Sequence, residues 1–350
     1  MGRAQLGRAH MSRVAATLVA MAVLTVGSVG GLRGLLPALP PAPGLARAAP
    51  PVGKPLPASK APAPGMLGRL EAARCETDRV LRLTHPPMAG EDVWELNVRL
   101  KQLGYLNVPK PGNVFDFATD QALRRFQRDH GLKPDGAVRE SIWRALAGPE
   151  EPRPTAALPP PKPPLHLVID VDRRILTLYS QGRPYRSYPV AIGKERTPSP
   201  IGEWRVVHKD SNWGGGFGTR WLGLDVPWGI YGIHGTNKPW SIGTAASGGC
   251  FRMFNTNVEE LWAWVPLGTP VTVTGRRIPV EYPRTLRQGD IGQDVAYLQL
   301  YLREAGFPVP RADGRFGAGT AASVRELQRF YGLPVTGQAS WDVLGILGMY

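Results

Sequence analysis

Cysteine is almost absent: the chain has two in 350 residues. Two cannot build a disulfide framework; they leave room for one bridge, or for one reactive thiol and a bystander. No Cys-x-x-Cys, His-Glu-x-x-His or calcium-loop pattern occurs, so no metal is implied. Acidic side chains are also in deficit, 28 Asp and Glu against 42 Lys and Arg, a formal net charge of +14. That excess favours a polyanion, whether nucleic acid, an acidic membrane face or an anionic wall polymer. The motifs of a nucleic-acid reader are missing, which leaves anionic wall polymers as the better match and no nucleic acid among the partners. The "GGGFG" run lacks the strand-loop-helix context of a nucleotide site. Asp170 and Asp172 end a strand at a turn, where aspartate is common.

Proline, by contrast, is plentiful, 36 in all, too many for one compact fold. Much of it falls in two tethers, and these organise the chain. Arg3, Arg8 and Arg13 precede the apolar run "VAATLVAMAVLTVGSVG", the pattern of a secretory signal. Ala46 and Ala48 supply a small-x-small cleavage site, and the run also nears membrane-spanning length. Residues 1–48 are therefore read as a signal peptide or an N-terminal anchor, the one route to a membrane. Either way the remainder works outside the cytoplasm, at the cell wall. Residues 49–84 read as a Pro/Ala-rich tether with a lead-in helix that holds Cys75, and 148–164 as a second, polyproline-type spacer. The long tether predicts a mobile first unit.

The segments those tethers isolate include an internal repeat. "GEDVWELNVRLKQLGY" matches "GQDVAYLQLYLREAGF", and "FDFATDQALRRFQRDHGL" matches "FGAGTAASVRELQRFYGL". Val93, Leu96, Leu100 and Leu103, and likewise Val295, Leu298 and Leu302, make one apolar helical stripe per copy. Gly104 and Gly306 stop the first helix; Thr119 and Thr320 are read as N-caps of the second, which ends at Gly131 and Gly332. A short third helix carries Trp143 in one copy and Trp341 in the other. The expectation is two small three-helix bundles, at 85–147 and 284–350.

Residues 165–276 change period. "LHLVIDVD", "RILTLYS" and "RPYRSYPVAIG" alternate, "QG" marks a turn, and "EWRVVHK", "RWLGLDV", "YGIH" and "TPVTVTG" add short strands. One helix interrupts them, with Thr256 and Glu259 read as a capping box. The fold class predicted is multidomain α+β: a mainly-β, sandwich-like domain with one helix, flanked by the two bundles.

The chemistry concentrates in "HGTNKPWSIGTAASGGCFRM". A nucleophile needs a base within reach and donors for the oxyanion it creates. His234 ends a predicted strand, and Cys250 follows a loop of small residues. An imidazole beside a thiol lowers the thiol pKa, to the point of an ion pair. Gly248 and Gly249 open the backbone before the sulfur, and Arg252 shares a face with Cys250 if the strand continues. On a strand end alone, His234 would read as an ordinary hydrogen-bonded histidine. Beside "SGGC" it does not.

Those residues resemble the signature of the L,D-transpeptidases: His234-Gly235-Thr236, Ile242-Gly243, then Ser247, Gly249, Cys250, Phe251, Arg252 and Met253. "VAIGKERTPSPIGEW", "FGTRWLGL" and "VPLGTPVTV" extend the likeness, and the two repeats resemble peptidoglycan-binding domains. The second copy keeps the "DGRFGAGT" run, where the first has "GNVFDFAT". The resemblance implies Cys250 as nucleophile, His234 as base and the Gly235 carbonyl as its orienting group. It implies an oxyanion hole from the amides of Gly248, Gly249 and Cys250, with Arg252, Ser247 and Thr236 at the substrate. It also implies a reaction that needs no cofactor, inactivation by carbapenem-type β-lactams, and partners among peptidoglycan stem peptides and glycan strands. An L,D-carboxypeptidase, with water as acceptor, and a non-catalytic wall-binding protein are the alternatives.

Overall fold

The computed structural model describes residues 79–148, 158–211, 215–279 and 283–350. The N-terminal segment, Cys75 and most of both tethers lie outside these residues. Among the described residues no helix is long and apolar enough to cross a membrane.

The first repeat folds as α1 (Glu91–Gln102), α2 (Phe117–Asp129) and α3 (Glu140–Ala147). Val93, Leu96 and Leu100 are buried as the stripe requires, while Leu103, at the C-cap, is exposed. α1 and α2 end in the same way. Tyr105 N–H donates to Leu100 O and Leu132 N–H to Gln127 O, with Gly104 and Gly131 at positive φ. This is the Schellman arrangement, which needs a residue tolerant of the left-handed region. Thr119 is not the N-cap. Asp116 is, its carboxylate accepting from Thr119 N–H at 2.8 Å, and Thr119 lies one turn in.

The central domain begins with β1 (Leu165–Asp170), β2 (Ile175–Ser180) and β3 (Arg183–Pro189), an antiparallel meander. β4 (Ile192–Gly193), β5 (Gly202–Asp210), β6 (Trp221–Leu224) and β7 (Tyr231–His234) follow. β8 (Ala245–Ser247), β9 (Phe251–Arg252), α4 (Asn255–Trp264) and β10 (Pro270–Thr274) complete it. Eight strands form one curled sheet in the order β3-β2-β1-β10-β5-β6-β7-β9, and β4 pairs with β8 apart from it. Register shifts in β2/β3 and β5/β6 add local twist. Alternation along β1, β2 and β10 puts Leu167, Ile169, Leu176, Leu178, Val271 and Val273 inside. The capping box at Thr256 and Glu259 does not form. Phe254 is the N-cap, without a side-chain bond, and the polar side chain at the helix start, Asn255, is used elsewhere.

The second repeat gives α5 (Gln293–Glu304), α6 (Ala318–Phe330) and α7 (Trp341–Ile346). Here too the threonine is inside the helix: Gly317 is the N-cap and Thr320 Oγ1 accepts from Gln299. The two tryptophans are not equivalent. Trp143 is buried midway along α3, whereas Trp341 opens α7 and is exposed.

Both bundles rest on the central domain, by different physics. The second shares one continuous apolar core with it, running from Trp204 and Val226 to Leu298 and Leu344. The first keeps its own core and receives Trp240 from the central domain against it. Its remaining contacts are ionic and aromatic: Trp143 stacks on Trp240 at 6.2 Å, and Asn237 donates to Glu140 at 3.0 Å. The mobile first unit expected from the tether is thus replaced by one that docks.

Candidate active site

β7 lies between β6 and β9, so His234 sits opposite Trp221 on one side and Arg252 on the other. His234 is fully buried, stacked on Trp221 with centroids 5.6 Å apart and edge-on to Phe217 at 5.0 Å. Its Nδ1 is 2.6 Å from the Gly235 carbonyl oxygen. A carbonyl only accepts, so Nδ1 carries the proton and Nε2 keeps the lone pair. Nε2 is buried and accepts from no donor among the described residues. Burial and then the Arg252 charge push the imidazole down to about 3, against the upward pull of the Gly235 and Phe217 carbonyls. Burial and the neighbouring guanidinium thus both favour the uncharged ring.

Cys250 is a buried thiol at the head of β9, packed with Phe217, Trp221 and Ile230. The rings that contain its sulfur also contain His234. Sγ lies 3.9 Å from the Ile230 carbonyl. The turn before it is tied by one hydroxyl: Ser247 Oγ donates to Cys250 O at 2.5 Å and accepts from Gly249 N–H at 3.0 Å. Of the three amides expected to face an oxyanion, that of Gly249 is therefore occupied within the turn. Gly249 itself has φ of 122°, and a Cβ there would stand 2.7 Å from the Tyr231 ring. Only glycine fits.

Thr236 is buried and acts as a brace. Its Oγ1 accepts from Lys238 N–H at 3.0 Å. Asn255, which sequence reasoning passed over, takes the other side: Oδ1 accepts from Thr236 N–H and Thr219 N–H, and Nδ2 donates to Thr236 O. The same Oδ1 would lie 2.2 Å from a Cβ at Gly235, which explains the glycine after the histidine.

Arg252 carries the largest surprise. Its Nη1 donates to Glu95 Oε1 at 3.0 Å and to Ser241 Oγ at 3.3 Å. Glu95 belongs to α1 of the first bundle. Its other oxygen accepts from Lys238 Nζ at 2.6 Å, and all three residues are no more than 5 % exposed. Burial alone would raise the Glu95 carboxyl; the charges of Arg252 and Lys238, with their hydrogen bonds, outweigh it and bring it down to about 2. Glu95 lies in no local pattern that marks a site, and Lys238, although inside the signature segment, is not one of the residues that carry the resemblance.

A buried thiol and a buried imidazole pack against the same two rings, Phe217 and Trp221, in a mainly-β domain with a helical repeat on either side, and the relatives of the chain give the class of enzyme. Residues 164–273 match the family model of the L,D-transpeptidase catalytic domain, and 89–146 and 291–347 match that of a putative peptidoglycan binding domain. The chain is 46% identical over 110 residues to the putative L,D-transpeptidase YkuD of Bacillus subtilis, covering 31% of this chain and 66% of that protein. It is 36% identical over 124 residues to the putative L,D-transpeptidase YqjB of the same organism, covering 30% of this chain and 70% of the relative. A crystal structure of an L,D-transpeptidase from Xylanimonas cellulosilytica aligns over 55% of this chain and 96% of its own, at 27% identity and a TM-score of 0.27. The chain belongs to the L,D-transpeptidase family.

Proposed function

We propose that the protein cross-links peptidoglycan stem peptides at the cell wall through a thioester on Cys250. The observation that carries this reading is the tautomer of His234: with Nδ1–H given to Gly235, Nε2 is a base with no donor on it, packed on the rings that hold the sulfur. Nε2 takes the thiol proton as Sγ attacks the carbonyl carbon after the third stem residue. The amides of Gly248 and Cys250 stabilise the oxyanion, while Ser247 holds Gly249 and fixes the turn. Collapse breaks the C–N bond, and the imidazolium returns its proton to the departing D-alanine amine. A side-chain amine of a neighbouring stem then attacks the thioester, loses its proton to Nε2 and releases the thiol. Cover from Phe217 and Trp221 excludes water from the sulfur, which favours an amine acceptor over hydrolysis.

The test is incubation of the full chain, beside Cys250→Ala, with purified disaccharide-tetrapeptide, read by intact-protein and product mass spectrometry. A cysteine-dependent adduct with a cross-linked dimer is the expected result. Adduct with only shortened monomer assigns the carboxypeptidase reaction. No adduct and no turnover with several stems, from folded protein, assigns a binding role alone.

A further inference from the structure

The catalytic motif has two limbs, the His234 segment and the Cys250 segment, and each ends in a buried cation. Lys238 lies four residues past His234 and Arg252 two past Cys250. One carboxylate joins them: Glu95 Oε2 receives Lys238 Nζ and Oε1 receives Arg252 Nη1. Both limbs are tightly wired to the site. Ser241 Oγ donates to Lys238 O at 2.7 Å and in turn accepts from Arg252, and Met253 N–H donates to His234 O at 2.7 Å. The carboxylate comes from outside the catalytic domain, on α1 of the first bundle. A substrate carboxylate arriving from water would have to displace a buried, doubly paired one and leave it stranded. Arg252 is therefore already satisfied from inside the chain.

We propose that Glu95 is a positioning residue of the catalytic centre, stapling the histidine limb to the cysteine limb, so that the first helical unit is a working part of the enzyme. This rests on the roles of Cys250 and His234 proposed above. The repeat supports it independently. Glu95 and Tyr297 are equivalent in the matched segments, and both are buried on the α1 and α5 faces that meet the catalytic domain. In the first copy that face delivers a charge instead of a ring. The pair Arg139 Nη1 to Asp135 Oδ2, at 2.8 Å on the exposed side of the same bundle, touches neither limb.

The experiment uses the full chain with Glu95→Gln, Glu95→Gln/Lys238→Met and, as a control in the same bundle, Arg139→Gln. The double variant removes one stranded cation and keeps the test open if the single one fails to fold. Turnover of the tetrapeptide donor gives kcat and KM. Alkylation of Cys250 by iodoacetamide, with and without His234→Asn, gives the histidine-dependent part of thiol reactivity. The expected result is a kcat loss on the order of 10- to 100-fold at little-changed KM in folded Glu95 variants, with Arg139→Gln close to wild type. The histidine-dependent part of alkylation is lost with it. Wild-type kcat and alkylation in a folded Glu95 variant overturn the proposal. So does a rise in kcat, which would make the carboxylate a competitor of substrate. If the unaltered chain turns over no stem, the transpeptidase reading falls, and histidine-dependent alkylation still decides on Glu95.

Discussion

Glu91 and Gln293 occupy the same position in the two repeats, and both hold the same loop of the catalytic domain. Glu91 pairs with Lys194 at its start, and Gln293 forms two hydrogen bonds with the backbone of Ile201 at its end, at 3.0 and 2.7 Å. Between these points Lys194 N–H and Thr197 Oγ1 donate to Ser247 O, so the loop the repeats hold also supports the turn before Cys250. The two contacts differ in worth. Gln293→Ala leaves the Ile201 N–H and carbonyl unmet and is expected to cost about 1–3 kcal/mol in urea unfolding. Glu91→Gln breaks an exposed ion pair and is expected to change stability by less than about 1 kcal/mol.

Asn255 is predicted to matter more than its place at the start of a helix suggests. Asn255→Ala removes three hydrogen bonds to the backbone at Thr219 and Thr236. A loss of about 2 kcal/mol in stability is expected, with a larger proportional fall in kcat than in KM, because Gly235 and its carbonyl lose their support. Asn255→Asp keeps an acceptor and loses the donor to Thr236 O. It should fall between the two in donor-turnover assays.

Stability should depend on pH through His234 and Glu95. The imidazole goes from its ordinary value of 6.5 to about 3 in the folded chain. Between those values the unfolded state binds the extra proton. The stabilising contribution is complete above pH 6.5 and is lost as pH falls toward 3. Glu95 adds in the same direction at lower pH, from 4.5 down to about 2. Thermal unfolding should show Tm falling from pH 7 to pH 4, and His234→Asn should flatten that slope. An unchanged slope would show that the ring titrates normally in the folded protein.

Gly249→Ala is expected to be more damaging than its single methyl suggests, since it meets both a left-handed backbone and the Tyr231 ring. Destabilisation of about 2 kcal/mol and loss of Cys250 acylation are the outcomes to measure. Tyr231→Ala in the same chain should relieve the clash but not the backbone strain, recovering part of the stability and little of the acylation.

How far the sequence disclosed all this follows the range of each interaction. The strands were legible because Leu167, Ile169, Val271 and Val273 alternate with polar neighbours and turns fall between them. His234, Cys250 and the small residues before the sulfur were legible because they fall within one short segment. Glu95 was not: its partners lie 143 and 157 residues away, and a glutamate on a helical repeat reads as a solvated face. The one available sign was its match with Tyr297, a position that is aromatic in the other copy. Asp116 was overlooked as a cap because the second copy has Gly317 there, and Asn255 because a polar residue opening a helix suggests a local bond.

The apolar core that runs without a break from Trp204 into Leu298 and Leu344 makes the catalytic domain and the C-terminal bundle a single melting unit. The family boundaries cut through that core. Cutting the chain at those boundaries would expose a greasy face on both products and give a protein prone to aggregate. The first bundle, with a core of its own, has the makings of a separate, earlier transition in a calorimetric scan. Heat would then switch the enzyme off before it unfolds the enzyme, by lifting one carboxylate out of its seat.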